Sequence, residues 1–190
     1  MNWMRFSNAA LRTTAMLAAT CFATPILAQV NLAKSSVTAT AKQLGVPIEG
    51  KFKKISAALN FKPGQLAQSN AKVEIDVASY DMGASEYNKE VTGKDWFNAA
   101  QFPNASFIST SIVAAGPNKY NVAGKLTLKG KTVEVMVPVT VNILGAAQVF
   151  DGVLPIKRTL FNIGEGEWKD TSVVADEVSI KFHIIATPTM

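Results

Sequence analysis

The sequence predicts an all-β fold of about eight antiparallel strands, a sheet long enough that it must close as a barrel or fold over as a sandwich to bury its apolar face. Three observations predict it. Apolar and polar residues alternate with period two in run after run, the pattern of half-buried strands. The runs are separated by turn chemistry such as "FKPGQ", "AGPNK" and "LKGKT". No internal repeat and no linker divides the chain, so the strands belong to one sheet system.

The first element is not part of the fold. Residues 1–28 have the parts of a cleavable export signal: Arg5 and Arg12 at the start, an apolar run from Ala15, and Ile26-Leu27-Ala28 ending in a small residue. The apolar run is too short and interrupted to span a bilayer. Its removal leaves residues 29–190 as one domain, exported to the periplasm, and takes with it Cys21, the only cysteine. Ala18-Ala19-Thr20 before Cys21 does not fit a lipidation site, and the remaining domain cannot form an internal disulfide. Losing two arginines lowers the formal net charge from +5 to +3. That mild surplus is scattered rather than striped, which excludes a nucleic-acid partner of the usual basic kind.

Strands follow in order near 36–44, 50–61, 72–79, 105–114, 119–129, 131–143, 150–158 and 176–186. In "KVEIDVAS" Val73, Ile75 and Val77 share a face; in "YNVAGKLTLK" Tyr120, Val122, Gly124, Leu126 and Leu128 do. The next run, "TVEVMVPVTV", aligns Val133, Val135, Val137, Val139 and Val141, with Lys129-Gly130-Lys131 as the hairpin turn before it. Pro138 inside that run demands an edge or a bulge, since proline cannot donate to the ladder. The last strand shows Val178, Ile180, Phe182 and Ile184 on one side. Between 85 and 103 the alternation fails, and Glu90 and Lys94 stand at i,i+4. This segment is expected to be one or two short helical turns packed by Tyr87, Val91, Trp96 and Phe97.

Catalytic chemistry lacks parts. The single histidine, His183, falls on the strand face opposite Val178, Ile180 and Phe182, hence outside. With no thiol and no second histidine, a thiol nucleophile and a Cys/His zinc set are excluded from residues 29–190, and no metal site is expected. Glu165 and Glu167 in "FNIGEGEW" are solvated loop carboxylates in this reading, without the surroundings an acid/base pair needs. Gly164 and Gly166 follow a strand instead of opening a helix, so they make a turn and not a phosphate cradle. Arg158 is the unusual residue, because it continues the apolar phase of Leu154 and Ile156, and a buried charge needs a partner. A carboxylate, strand-end carbonyls or a ligand head group would serve.

The blocks "GVPIEGKFKKISAALNF", "KVEIDVASYDMG", "GKDWFNAAQFPNASFISTSI", "YNVAGKLTLKGKTVEVMVPV" and "RTLFNIGEGEW", in that order from Ser35 to Ile184, resemble the YceI-like family of exported proteins. The resemblance implies an eight-stranded antiparallel lipocalin-like barrel with a short helical insertion. It implies a long apolar bore that takes a polyisoprenoid or similar amphiphile, such as an isoprenoid quinone or a prenyl phosphate, with neither catalysis nor a metal. Gln43-Leu44-Gly45-Val46 stands where some members carry a histidine. That version is similar to the branch encoded with a membrane b-type cytochrome, which would favour a quinone as the bound ligand.

The expected function is therefore non-enzymatic binding or carriage of an isoprenoid lipid. Phe52, Leu59, Val73, Ile75, Leu126, Leu128, Val137, Val139, Ile156, Ile180 and Phe182 are expected to contact its tail, with Arg158 and Trp168 near one end of the bore. The alternative is an interaction module whose barrel is filled by its own side chains and which docks on a membrane b-type cytochrome or other redox partner. A homodimer is compatible with either.

Overall fold

Eleven strands and one helix account for most of residues 28–188, which the computed structural model describes. They are β1 (Ala28–Val30), β2 (Ser36–Gln43), β3 (Val46–Phe52), β4 (Ile55–Asn60), β5 (Asn70–Asp76), β6 (Tyr80–Asp81), α1 (Ser85–Thr92), β7 (Asn104–Gly116), β8 (Lys119–Leu128), β9 (Lys131–Leu144), β10 (Ala147–Lys157) and β11 (Glu177–Pro188). The expected signal segment lies outside the described residues except for Ala28, where β1 begins.

Eleven replaces the expected eight because two staves of the barrel are broken. β11 pairs along one side with β2 from Ser179 to His183 and with β1 from Ala186 to Pro188, so β1 and β2 occupy the same row. Between them Lys34 and Ser35 turn back to bond Asn31. In the next row β3 and β4 are separated at Lys53 and Lys54, whose N–H groups donate to the carbonyl and hydroxyl of Ser79 instead of to a ladder. Counted as rows, the eight staves are all antiparallel to their neighbours, and β6 adds a two-residue edge to β3. The sheet closes on itself, since β1 pairs with both β4 and β11. A closed ring removes the unpaired edges that a single long sheet would expose.

Turn chemistry sets the register. Lys129 and Gly130 join β8 to β9 with φ of 44° and 73°, the doubly positive geometry of a two-residue hairpin turn that matches strand twist. Pro138 pairs opposite Asn121 on β8, while the ladder from β9 to β10 stops one residue away at Val139 and Gly152. The proline thus stands where its strand has become an edge, and the short turn Arg158–Phe161 packs against β9 beyond it.

Val37, Phe52, Leu59, Val141, Phe150 and Ile184 form one buried cluster along the bore, and Ile112, Val122, Leu126, Val137, Ile156 and Phe161 a second. The alternation delivers this inner face directly, as in β8, where Val122, Gly124, Leu126 and Leu128 are buried. The helical insertion matches its expected place, with Val91 buried and Trp96 and Phe97 half-buried behind it. Tyr87 departs from expectation: one turn before Val91 on the same helix face, it is 62% exposed.

Candidate ligand-binding bore

Two cavities lie end to end inside the barrel and abut at Ile180, which lines both. The first, of about 150 Å³, sits at the β1 end. Its walls come from β2, β4, β5, β7, β8, β9, β10 and β11, and they present only carbon to the space. Phe61 closes this end, with its ring 4.9 Å from Tyr120 and 5.6 Å from Phe150, both edge-on. The second cavity, of about 190 Å³, lies beneath α1 and the loop between β10 and β11. Together they just reach the roughly 300 Å³ at which small-molecule sites begin.

All the expected tail contacts except Ile75 line one cavity or the other. Leu59, Val73, Leu126, Val137, Val139 and Phe182 face the β1-end space, and Phe52, Leu128, Ile156, Arg158 and Trp168 the α1-end space. Ile75 packs instead between the two core clusters. Sequence reasoning missed the contributions of Phe61, Phe150, Met82 and Val174. Phe61 and Val174 lie in loops and Met82 just past β6, outside any alternating run, and Phe150 opens a run whose phase "DGVLP" obscures.

Glycines on the inner wall hold the width of the bore. At Gly50, Gly124 and Gly152 a Cβ would fall 2.3–2.4 Å from the rings of Tyr80, Phe107 and Phe182 respectively. These rings therefore lie flat against the wall rather than across the space, and any side chain beneath them would push them inward. Tyr80 is anchored there by donating its hydroxyl to the Ala39 carbonyl at 3.0 Å. Burial pushes its pKa up to about 12.

Arg158 resolves the choice of partners left open by sequence. It is 1% exposed. Nε donates to Ala175 O, Nη1 to Ile163 O and Gly164 O, and Nη2 to Trp168 O and Val174 O, over 2.7–3.2 Å. Five donors meet five carbonyls, which is the whole capacity of a guanidinium. Burial pushes its pKa down, opposed by the nearby Asp176. Of the three partners left open, backbone carbonyls hold Arg158, whose N–H groups tie the loop while the residue lines the α1-end cavity.

That loop contains "FNIGEGEW". Phe161 and Ile163 are buried, as a turn reading of the stretch requires. Gly164 adopts φ of 75° and passes so close to Arg158 that a Cβ would lie 2.3 Å from Nη1. The N–H groups of Gly164 and Glu165 both donate to Asp95 O, and Lys129 bonds Asn162 O and Glu165, so the loop is tied to the helical insertion and to the β8–β9 turn. Trp168 leans on Trp96 at 5.6 Å between ring centres and donates Nε1 to Glu90 on α1 at 3.0 Å. Glu165 is thereby an ion-pair partner of Lys129 at the loop surface, and Glu167 is exposed.

His183 lies on the outer wall, with Nδ1 2.6 Å from Asp151 Oδ1 on the facing strand. Among the described residues no group of histidine, cysteine and carboxylate side chains is placed to hold a metal ion.

The YceI-like domain family matches residues 29–186. The chain is 30% identical over 117 residues to a UPF0312 protein of Vibrio cholerae and 37% identical over 87 residues to one of Photorhabdus laumondii. Those matches cover 61% and 46% of this chain and 61% and 45% of the relatives, so the chain spans less than two thirds of the length of these two relatives. BcnA of Burkholderia cenocepacia is 61% identical, with a TM-score of 0.82 over 84% of this chain and 100% of that one. The same fold appears in the Campylobacter jejuni YCEI protein, at TM-score 0.69 and 20% identity over 75% of this chain and 86% of that one. A polyisoprenoid-binding domain from Saccharophagus degradans shares it too, at TM-score 0.72 and 16% identity over 86% of this chain and 99% of that one. From the strand order, the flattened aromatic rings of the bore and a family match that runs through nearly every described residue, the chain belongs to the YceI-like domain family.

Proposed function

We propose that the protein is a non-enzymatic carrier whose barrel takes up the apolar tail of an isoprenoid lipid, such as an isoprenoid quinone, in the periplasm. The observation that carries this is the pair of abutting cavities, whose strand-built end offers nothing but carbon to an occupant. Such a space stays dry, because a water there would lack the two to four polar partners it needs. A branched hydrocarbon chain suits it. Burying about ten CH₂ equivalents contributes roughly 8 kcal/mol gross, from which the ordering of the tail is subtracted, leaving binding that is firm and exchangeable. The polyisoprenoid-binding relative of the same fold supports the reading.

Protein purified from the periplasm of cells that express the full chain tests it. An organic extract analysed by mass spectrometry should contain an isoprenoid lipid in near-stoichiometric amount. An extract free of any long-chain amphiphile, from protein that also refuses added isoprenoids, would overturn it.

A further inference from the structure

Charge divides the two ends of the barrel. Of the chain's fourteen carboxylates, four stand between residues 81 and 95 and five between residues 157 and 177, all at the α1 end, where basic residues are interleaved with them. The segments that finish the β1 end, residues 30–36, 58–71, 114–120 and 141–150, contain none. They carry Lys34, Lys62 and Lys119, all exposed, and among the described residues no ion pair holds any of the three. The same end also exposes carbon. Ile143 and Leu144, at the tip of the β9–β10 hairpin, are 59% and 66% exposed, and Leu32 in the turn after β1 is 58% exposed. Ile143 continues the inner phase of Val137, Val139 and Val141, so the carbon stripe that lines the bore runs past its end into water. Its cross-strand partner Gln148 donates Nε2 to the carbonyl of Phe61, the residue whose ring closes the bore, and Lys62 comes next in the chain. Apolar tip, plug and cation are thus joined at one rim.

We propose that the β1 end docks on an anionic phospholipid membrane, with Ile143 and Leu144 entering the interface and Lys34, Lys62 and Lys119 meeting the head groups. The inference rests on the lipid-carrier reading, to which it adds the surface across which a tail is exchanged and the end of the bore that faces it. An acidic protein would satisfy the lysines and leave the aliphatic tip bare. A second copy of this end would bring like charges together. A bilayer supplies both anions and hydrocarbon, and the all-carbon cavity lies directly behind the Phe61 plug.

The test measures co-sedimentation of protein purified from the periplasm with vesicles of equal parts phosphatidylglycerol and phosphatidylcholine, and with vesicles of phosphatidylcholine alone, neither holding any isoprenoid. The wild type should bind the anionic vesicles about tenfold more tightly or better, and high salt should release it. Lys34→Gln, Lys62→Gln and Lys119→Gln together should weaken this about a hundredfold, at roughly fivefold per lysine. Removing three lysines at the other end, by Lys89→Gln, Lys94→Gln and Lys169→Gln, should weaken it about threefold at most, because those charges stand more than a screening length from the membrane. Ile143→Ser with Leu144→Ser changes only exposed positions and should weaken binding about tenfold or more. Equal losses from the two lysine sets would reduce the attraction to net charge and overturn the docking face. An unchanged affinity in the doubly substituted hairpin, or a wild type that ignores the anionic vesicles, would overturn it as well. So would a wild-type dimer that the hairpin substitutions dissociate while vesicle binding persists, since the patch would then belong to a second copy. None of these outcomes touches carriage, which the vesicles do not probe; a protein that docks as expected and takes up no isoprenoid overturns carriage and leaves the docking face standing.

Discussion

The two ends of the bore share one ring of strands and differ in what finishes them. At the β1 end the strands themselves do so, with Phe61, Tyr120 and Phe150 packed edge to face and no polar atom turned inward. At the α1 end the strands stop short, and a loop and a helix complete the wall. There the backbone carbonyls of residues 163–175 would be buried without partners, and a guanidinium supplies five donors to them. One end is therefore held by burial of carbon and the other by satisfaction of polar groups. Burial tolerates any apolar residue of similar volume. Satisfaction tolerates almost no substitution, because removing one member leaves the rest exposed to an apolar medium.

The comparison is most easily broken at Arg158. Arg158→Met should cost about 3–5 kcal/mol, the usual penalty for taking one partner from a buried charged network, read as a lowered midpoint in urea. Arg158→Lys should lose most of the same amount, since an ammonium has three donors and no planar fork. Substitutions that conserve volume at the other end, such as Leu154→Met, should stay below about 1.5 kcal/mol. A loss of similar size at both ends would show that the distinction between them is false. Leu128→Trp comes next. It places an indole in the α1-end cavity, should cost roughly 1–3 kcal/mol from overpacking, and should abolish uptake of an isoprenoid probe. Retained uptake would mean that the occupied space is the β1 end alone, or that the barrel acts by its surface.

What the sequence makes legible follows the same division. Alternation identifies Val122, Leu126, Leu128, Val137 and Val141 as wall residues because each strand carries its own periodic signal. Closure at β1 is hidden, since three residues at the start of the domain carry no such pattern. Arg158 is conspicuous by its phase, yet the identity of its partners is not readable: the carbonyls belong to a loop whose sequence, "NIGEGEWKDTSVV", has no period. Trp96 and Trp168 are 72 residues apart, and nothing local to either shows that one indole N–H is capped by Glu90 and the other by nothing. Local pattern encodes burial, whereas polar satisfaction is a property of the assembled fold.

At the carbon end the sensitive positions are the glycines beneath aromatic rings. Gly152→Ala would place a methyl 2.3 Å from Phe182 Cζ and 2.7 Å from Pro138 O. The ring must swing into the β1-end cavity, at about 2 kcal/mol of strain and lost packing. Stability and isoprenoid uptake should fall together, and a double variant Gly152→Ala with Phe182→Leu should regain part of both. If the single alanine variant is neutral, Phe182 has room to move and the bore at this end is wider than the glycine contact implies.

Tyr80 gives the smallest effect and distinguishes the ends by pH. Its hydroxyl is buried beside the α1-end cavity, bonded to Ala39 O, and its pKa stands at about 12 against an ordinary value near 10. The folded state thus keeps the phenol proton at a pH where the unfolded chain releases it. Stability from this group is complete below pH 10, falls as pH rises and is spent by about 12; at pH 11 the loss is about 1.4 kcal/mol. Tyr80→Phe cannot ionise, so between pH 9 and pH 11 the wild type should lose about 1.4 kcal/mol more than the variant, although lysines and the other tyrosines titrate in both. Equal slopes for wild type and Tyr80→Phe would mean that the phenol reaches water through the α1 end. That end would then be wet, and only the β1 end would offer a tail a dry space.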